Sequence, residues 1–195
     1  MIIEAMKKIT IRSEIPMFLK QYNINRRIAE IGVRFGCNFD QLLSCGPTLA
    51  VAVDHWALSG SKAEQDTGMS KTELDKVYSD FVMRHIFDGR VKVLRMRSDP
   101  AVPLFPMRFF DYVYIDADHS YEGCLRDMGA WWTRVRQGGV MAGHDYIDTK
   151  SKAGTDFGVI RAVKKFMTAK DIDDGCLHVT NEGYKSWMIY KMEGE

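Results

Sequence analysis

Two glycines and two acids carry the first chemical signal in this chain. Glu30-x-Gly32-x-x-x-Gly36 follows the apolar start of a strand, and Asp54 closes the apolar run Leu49-Ala50-Val51-Ala52-Val53. A strand, a glycine turn, a helix, a second strand and a terminal carboxylate together suit a nucleoside ligand. Glycines admit backbone close to the ligand, and the carboxylate can accept hydrogen bonds from both ribose hydroxyls. The spacing differs from the dinucleotide fingerprint, and the acid Glu30 would repel a pyrophosphate while suiting a ligand that carries positive charge. Further along, His119 stands three residues after Asp116. An unperturbed imidazole titrates near pH ~6.5, so it can take a proton from a hydroxyl at neutral pH. Asp116 and Asp145 offer hard oxygens for Mg²⁺, which would stabilise an alkoxide.

These residues need a frame. Arg27–Gly32, Leu49–Asp54, Val91–Met96, Asp111–Asp116 and Val140–Ala142 read as strands, the last entered through a Gly138-Gly139 turn. Helical spacing is expected over Cys37–Ser44, Thr72–Phe87, Tyr121–Arg136 and Val159–Thr168. Residues 1–13 are a mixed lead-in, after which Ser13 is expected to cap a short helix with Pro16 in its first turn. The polar stretch 58–70 reads as a loop over the cleft, and Asp148–Asp156 as a polar loop beside it. Leu177–Thr180 and Ser186–Met192 flank Asn181-Glu182-Gly183-Tyr184, a hairpin signal. Strands alternating with helices imply an α/β, Rossmann-like, doubly wound and mostly parallel seven-stranded sheet, ending in an antiparallel C-terminal hairpin. If the strand order begins 3-2-1-4-5, ligands bind where it reverses, between strands one and four. All five strand ends facing that edge are polar, although the strands are apolar: Glu30-Ile31-Gly32, Asp54-His55-Trp56, Arg97-Ser98-Asp99, Asp116-Ala117-Asp118-His119 and His144-Asp145-Tyr146.

Composition sets the outer bounds. The 195 residues suit a single domain with a substantial core, residues 1–25 being its N-terminal lead-in and helix. A formal net charge of +1 gives no global field for nucleic acid. Cys37, Cys45, Cys124 and Cys176 form no C-x-x-C pair, so free thiols in a reducing cytoplasm are expected. The start lacks a continuous apolar region of the signal-peptide kind, and no apolar run approaches the ~20 residues of a membrane span. The twelve methionines read mainly as core filling. At helical spacing, one of Trp131 and Trp132 is expected to face away from the core, toward a homodimer contact or a substrate pocket. Asp118 reads as a turn or helix cap, His144 as a partner holding Asp145, and His85 and His178 as packing or surface histidines.

With these motifs in order, the chain resembles class I S-adenosylmethionine-dependent methyltransferases over nearly its whole length. Glu30-x-Gly32-x-x-x-Gly36 matches that family's first motif, and Asp54 matches its ribose-holding acid. Ser98-Asp99 sits where the family places adenine contacts, and the resemblance sets His55 or Trp56 against the adenine face. Tyr114–Gly123, Gly138-Gly139, Gly143-His144-Asp145-Tyr146, Gly158-Val159 and Ala162-Val163 before Phe166 are similar to a small-molecule O-methyltransferase subset that includes catechol and macrolide-sugar enzymes. The resemblance implies S-adenosylmethionine as cofactor, with Glu30, Gly32, Gly36, Asp54, His55, Trp56, Ser98, Asp99 and Asp116 around it. It implies His119 and Asp116 in catalysis, Asp116 and Asp145 as ligands of Mg²⁺, and a small hydroxyl acceptor of sugar or natural-product type. Tyr146 stands where the catechol-type pattern has an amide, which leaves the third protein ligand open.

Three other readings compete. An NAD-type oxidoreductase lacks its G-x-G-x-x-G and is opposed by Glu30. A non-catalytic nucleoside-binding module would bind without turnover. A nucleic-acid methyltransferase would need a basic stripe or an Asn-Pro-Pro-Tyr-like tetrapeptide, and the chain has neither.

Overall fold

A computed structural model describes residues 1–57, 69–150 and 156–192. Its strands are β1 (Arg27–Ile31), β2 (Leu49–Asp54), β3 (Val91–Arg95), β4 (Phe110–Ile115), β5 (Val135–Gly143), β6 (Asp148–Lys150), β7 (Asp156–Gly158), β8 (Leu177–Val179) and β9 (Trp187–Tyr190). Seven of them form one sheet in the order β3-β2-β1-β4-β5-β9-β8. Pairing from β3 through β5 is parallel, while β9 runs antiparallel to both β5 and β8. The expected order and the expected C-terminal hairpin are both present. The order reverses between β1 and β4, where Glu30 pairs with Tyr114 and Ile31 with Ile115.

The central strands are apolar throughout because both faces are covered. Alternate side chains go to opposite sides. Ala29, Ile31, Val51, Val53, Val113, Ile115 and Met141 join one core, with helices α6 (Tyr121–Trp132) and α7 (Val159–Ala169). Ile28, Ala50, Ala52, Tyr112, Tyr114, Val140 and Ala142 join the other. That second face is covered by α1 (Ile2–Met6), α2 (Ile15–Gln21), α3 (Cys37–Leu43) and α4 (Lys71–His85). A short α5 (Ser98–Ala101) follows β3. Ser70 starts α4 as a reciprocal cap, its hydroxyl accepting from the Glu73 amide while Glu73 accepts from the Ser70 amide.

Four local expectations are corrected. Ser13 lies inside a 3-10 turn, Arg12–Glu14, and caps nothing by its side chain; Glu14 instead ties the turn, accepting from the Thr10 and Ile11 amides. Helix α6 stops at Trp132, and β5 already begins at Val135, paired with Phe110. Gly138-Gly139 is therefore a bulge within β5, marked by the register shift before Tyr112↔Val140, and not a turn ahead of it. The stretch read as a polar loop at Asp148–Asp156 has paired ends, β6 and β7 forming an antiparallel ribbon. Residues 151–155 of it, like 58–68 of the loop expected over the cleft, lie outside the described residues.

Neither tryptophan of the α6 pair faces away from the core. Trp131 is fully buried beside Phe105 and Phe110, its Nε1 donating to Ser98 Oγ at 2.9 Å. Trp132 is 5% exposed, set edge-on to Phe166 and capped by the Lys191 ammonium 4.8 Å from its ring centre. The helix is enclosed on two sides, by α7 and by the segment around α5, so its apolar stripe is wider than that of a surface helix. Among the described residues no helix is long and apolar enough to cross a membrane.

Candidate active site

Every strand of a parallel sheet presents its carboxyl end on one edge, and a reversal of strand order such as that between β1 and β4 opens a crevice there. The loop after β1 shapes that crevice. Gly32 has φ +84°, and a Cβ there would fall on the Asp116 carbonyl and 2.8 Å from Ala117 Cα. Gly36 has φ +81° at the start of α3, and its Cβ would meet the Phe81 ring at 2.5 Å. The glycines are thus demanded first by the close approach of neighbouring protein, which also brings the β1 loop down beside β4. The Asp116 amide closes that contact, donating to Ile31 O at 2.7 Å.

Asp54 holds the same loop from the β2 side. Its Oδ2 accepts from the amides of Val33 and Arg34, both at 2.8 Å, and its Oδ1 accepts from the Trp56 amide at 2.7 Å. His55 Nδ1 lies 3.5 Å from Oδ1. Burial pushes this carboxyl up, but the hydrogen bonds from His55 and from the amides of Arg34, Trp56 and Val33 outweigh burial, so it titrates below its ordinary range. Of the two residues set against an adenine face, only His55 stays near the surface. Trp56 turns inward: it has φ +40°, is 2% exposed, packs on Tyr78 and Phe81, and donates from Nε1 to Arg34 O.

Ser98 and Asp99 begin α5 beyond β3. The Ser98 hydroxyl is committed to packing, donating to Asp127 Oδ1 at 2.8 Å and accepting from Trp131. Burial pushes the Asp127 carboxyl up to about 6. Asp99 is exposed and pairs with Arg126 at 3.3 Å. The Ser98 hydroxyl is thus engaged within the protein.

Glu30 is 1% exposed on the face it shares with Tyr112 and Tyr114, and its Oε2 has no hydrogen-bond partner. Burial, then the Asp116 charge, raise its carboxyl well above the ordinary range, against the opposing pull of Asn38 and Arg12. A buried acid of this kind is stabilised in its charged form by an incoming cation.

The densest chemistry lies past β4 and β5. Asp116 Oδ1 is 3.0 Å from His119 Nε2, and Asp145 Oδ2 is 3.5 Å from the same nitrogen. Burial lowers the His119 imidazole, while its hydrogen bond to Asp116 and the charges of Asp116, Asp145 and Asp118 raise it, with a net upward shift. Phe157 of β7 stacks on the His119 ring at 5.3 Å and 10°. His144 Nδ1 is 3.3 Å from Asp145 Oδ1 and 3.8 Å from Asp116 Oδ1. Asp145 adopts φ +49°, which turns it back toward β4. Ligand atoms of Asp116, His144 and Asp145 all lie within 4.8 Å of one another. Two carboxylates and an imidazole at that spacing fit a divalent ion. His144, read from the sequence as a partner of Asp145, is placed as a third donor as well. Asp118 forms a turn, accepting from the Ser120 amide, and Ser120 caps α6. His85 and His178 lie elsewhere, bound to Asp40 and to Ile9 O.

Residues 29–146 match the family described as "Methyltransferase domain". This span covers β1 through the Asp145-Tyr146 turn and so contains Glu30, Asp54, Asp116, His119, His144 and Asp145. The chain belongs to that methyltransferase family. Solved structures agree in fold. The O-methyltransferase NovP is 15% identical, with 93% of this chain and 78% of that one covered and a TM-score of 0.64. The O-methyltransferase TomG from Streptomyces achromogenes, solved with SAM and described as involved in tomaymycin synthesis, is 14% identical over 92% and 79% of the two chains, with a TM-score of 0.58. An O-methyltransferase from Bacillus cereus in complex with SAH is 16% identical over 92% and 80%, with a TM-score of 0.53. No curated protein matches the chain by sequence.

Three residues of this methyltransferase's crevice carry no local sequence signal: Arg12 from the lead-in, Phe157 from β7 and Tyr184 from the β8–β9 turn. Tyr184 stacks on His144 at 6.3 Å and 27°.

Proposed function

We propose that this methyltransferase domain binds S-adenosylmethionine across the ends of β2, β1 and β4 and moves its methyl group to a hydroxyl oxygen of a small acceptor. The observation that carries the reading is the convergence of Asp116, His119, His144 and Asp145 beside the glycine loop. The ribose lies toward Asp54, the adenine toward His55 and the Ser98-Asp99 backbone, and the sulfonium toward Glu30 and Asp116. The acceptor occupies the mouth walled by Phe157 and Tyr184, whose faces suit a flat ring or the C–H face of a sugar.

His119 accepts the acceptor's hydroxyl proton as the oxygen attacks the methyl carbon. The O–CH₃ bond forms as the S–CH₃ bond breaks, the electron pair returns to sulfur, and the products are a methyl ether and S-adenosylhomocysteine. Asp116 and Asp145 orient the imidazole and stabilise its protonated form. Positioning in line supplies much of the remaining rate. Asp116, His144 and Asp145 would hold a divalent ion such as Mg²⁺, and such an ion would supply charge stabilisation to the bound alkoxide.

The deciding test is calorimetric titration with S-adenosylmethionine, S-adenosylhomocysteine and NAD, each with Mg²⁺ present and chelated, followed by methyl transfer to catechol and glycoside acceptors. Micromolar binding of the first two and none of NAD is expected. Binding of NAD alone would restore the oxidoreductase reading, and binding without turnover on any acceptor would favour the non-catalytic module.

Asp54→Ala is expected to weaken S-adenosylhomocysteine by about 1–3 kcal/mol, the loss of a hydrogen-bonding partner. Unchanged affinity would remove the ribose assignment. The same variant has a pH signature. Asp54 titrates below its ordinary value, so its stabilisation is full above pH ~4 and is lost as pH falls through the depressed value. The melting-temperature gap between wild type and variant should therefore be widest near neutrality and close in acid. A gap that widens in acid would contradict the assigned contacts.

A further inference from the structure

Arg161, in the first turn of α7, fastens together the elements around His119. Its amide donates to Asp148 Oδ1 at 3.2 Å, and its Nη2 donates to both Asp156 carboxylate oxygens, at 3.2 and 3.3 Å. Its Nε lies 3.6 Å from Asp148 Oδ2, and its guanidinium carbon sits 5.6 Å from the centre of the Tyr121 ring. Asp148 belongs to β6, Asp156 to β7 and Tyr121 to the start of α6. One planar fork thus ties both strands of the ribbon to the helix that follows His119.

The ribbon is seated closely. The Gly158 amide donates to His119 O at 2.9 Å. A Cβ on Gly158 would fall 2.7 Å from Tyr121 Cβ and 2.8 Å from the Tyr121 nitrogen. Phe157, the residue before it, lies nearly parallel to the imidazole. Asp116 and Asp145 both address that imidazole at Nε2. Two contacts at one nitrogen leave the ring plane free to tilt, so its face needs a second hold. The ribbon's strands have 3 residues each, too few to keep a position unaided.

We propose that Arg161 is a positioning residue acting through Phe157: by latching the β6–β7 ribbon onto α6, it fixes the plane of the His119 imidazole. The inference rests on the reading of His119 as the proton acceptor and deepens it. Exposed ion pairs add little to global stability, yet small energies decide where a marginal ribbon rests. The latch is therefore local, and its loss frees Phe157 without unfolding the domain.

The test reads the imidazole itself. Protons facing an aromatic ring are moved upfield by its ring current. In proton–carbon correlation spectra of the full chain at neutral pH, the His119 ring signals are assigned by their loss in His119→Gln. They should lie upfield in wild type and return downfield in Phe157→Leu. Arg161→Gln should reproduce most of that return while its melting temperature stays within about 4 °C of wild type. In the same variant S-adenosylhomocysteine affinity should stay within about threefold, while turnover on a catechol or glycoside acceptor falls about 10- to 100-fold, the effect of a displaced reacting group. Arg161→Lys should recover part of both readouts, since an ammonium lacks the fork that spans Asp148 and Asp156. His119 signals unchanged in Arg161→Gln would overturn the latch, and signals unchanged in Phe157→Leu would overturn the stacking on which it depends. Should Arg161→Gln not fold, Asp156→Asn removes the charge on β7 alone and is expected to move the same signals part of the way; no movement would be equally decisive. Ring signals that shift as expected in a chain that transfers no methyl group would remove the proposed activity and leave the latch standing.

Discussion

His119→Ala should lower the rate of methyl transfer about 10²- to 10⁴-fold, the range for loss of a positioned general base, while S-adenosylhomocysteine affinity stays within about threefold. The split follows from where the ring sits. Its Nε2 is shared by Asp116 and Asp145, and its face is covered by Phe157. None of these partners belongs to the β1 loop or to Asp54, which hold the nucleoside under the proposed reading. Removing the imidazole therefore leaves the nucleoside's contacts in place and takes away the group that receives the hydroxyl proton. The measurement is single-turnover transfer of a labelled methyl group beside calorimetric binding. A rate within threefold of wild type would show that the proton leaves by another route and that His119 is a packing residue. An equal loss of binding and rate would show that it holds the cofactor instead.

Gly32→Ala should cost about 3–5 kcal/mol of folding stability, a size reserved for specific structural conflicts. Two penalties add there. The residue sits at φ +84°, which an L side chain adopts at a cost. Its Cβ would also meet backbone, 2.5 Å from the Asp116 carbonyl carbon and 2.8 Å from Ala117 Cα. Backbone cannot rotate aside as a side-chain tip can, so relief means parting β1 from β4, at the reversal where the site is built. Gly46 supplies the control. It has φ +73° but nothing within 4 Å of its would-be Cβ, so Gly46→Ala should cost only the left-handed penalty of about 1–2 kcal/mol. Urea denaturation of both variants measures the difference. Equal losses would show that the close approach to Asp116 does not constrain the loop.

The frame of this methyltransferase was legible because its signals are local. The apolar runs at Leu49–Val53 and Tyr112–Ile115 mark strands covered on both faces, and their spacing by helical segments implies parallel crossovers. The strand order then brings Glu30, Asp54, Asp116 and Asp145 to one edge with no further information. Legibility fails where periodicity stops. Gly138-Gly139 reads as a turn by composition, yet Val135 is already paired to Phe110, and only the partner strand reveals the bulge. Trp131 and Trp132 sit on successive positions of a helix, and periodicity along one element cannot register that two neighbours enclose it.

By itself the sequence determined the alternation of elements, the polar strand ends and the chemical types gathered at them. Tertiary structure alone decided which of those groups face the crevice and what joins them from afar. Trp56 turns inward at φ +40° and Asp145 turns back at φ +49°. Arg12, Phe157 and Tyr184 arrive on the lead-in, the β6–β7 ribbon and the β8–β9 turn. The physical reason is that burial acts on every residue of a strand and so writes a repeating pattern, whereas side-chain direction at a strand end is set by a few dihedral angles. Those angles are fixed by contacts between segments distant in sequence, which leave no period to read.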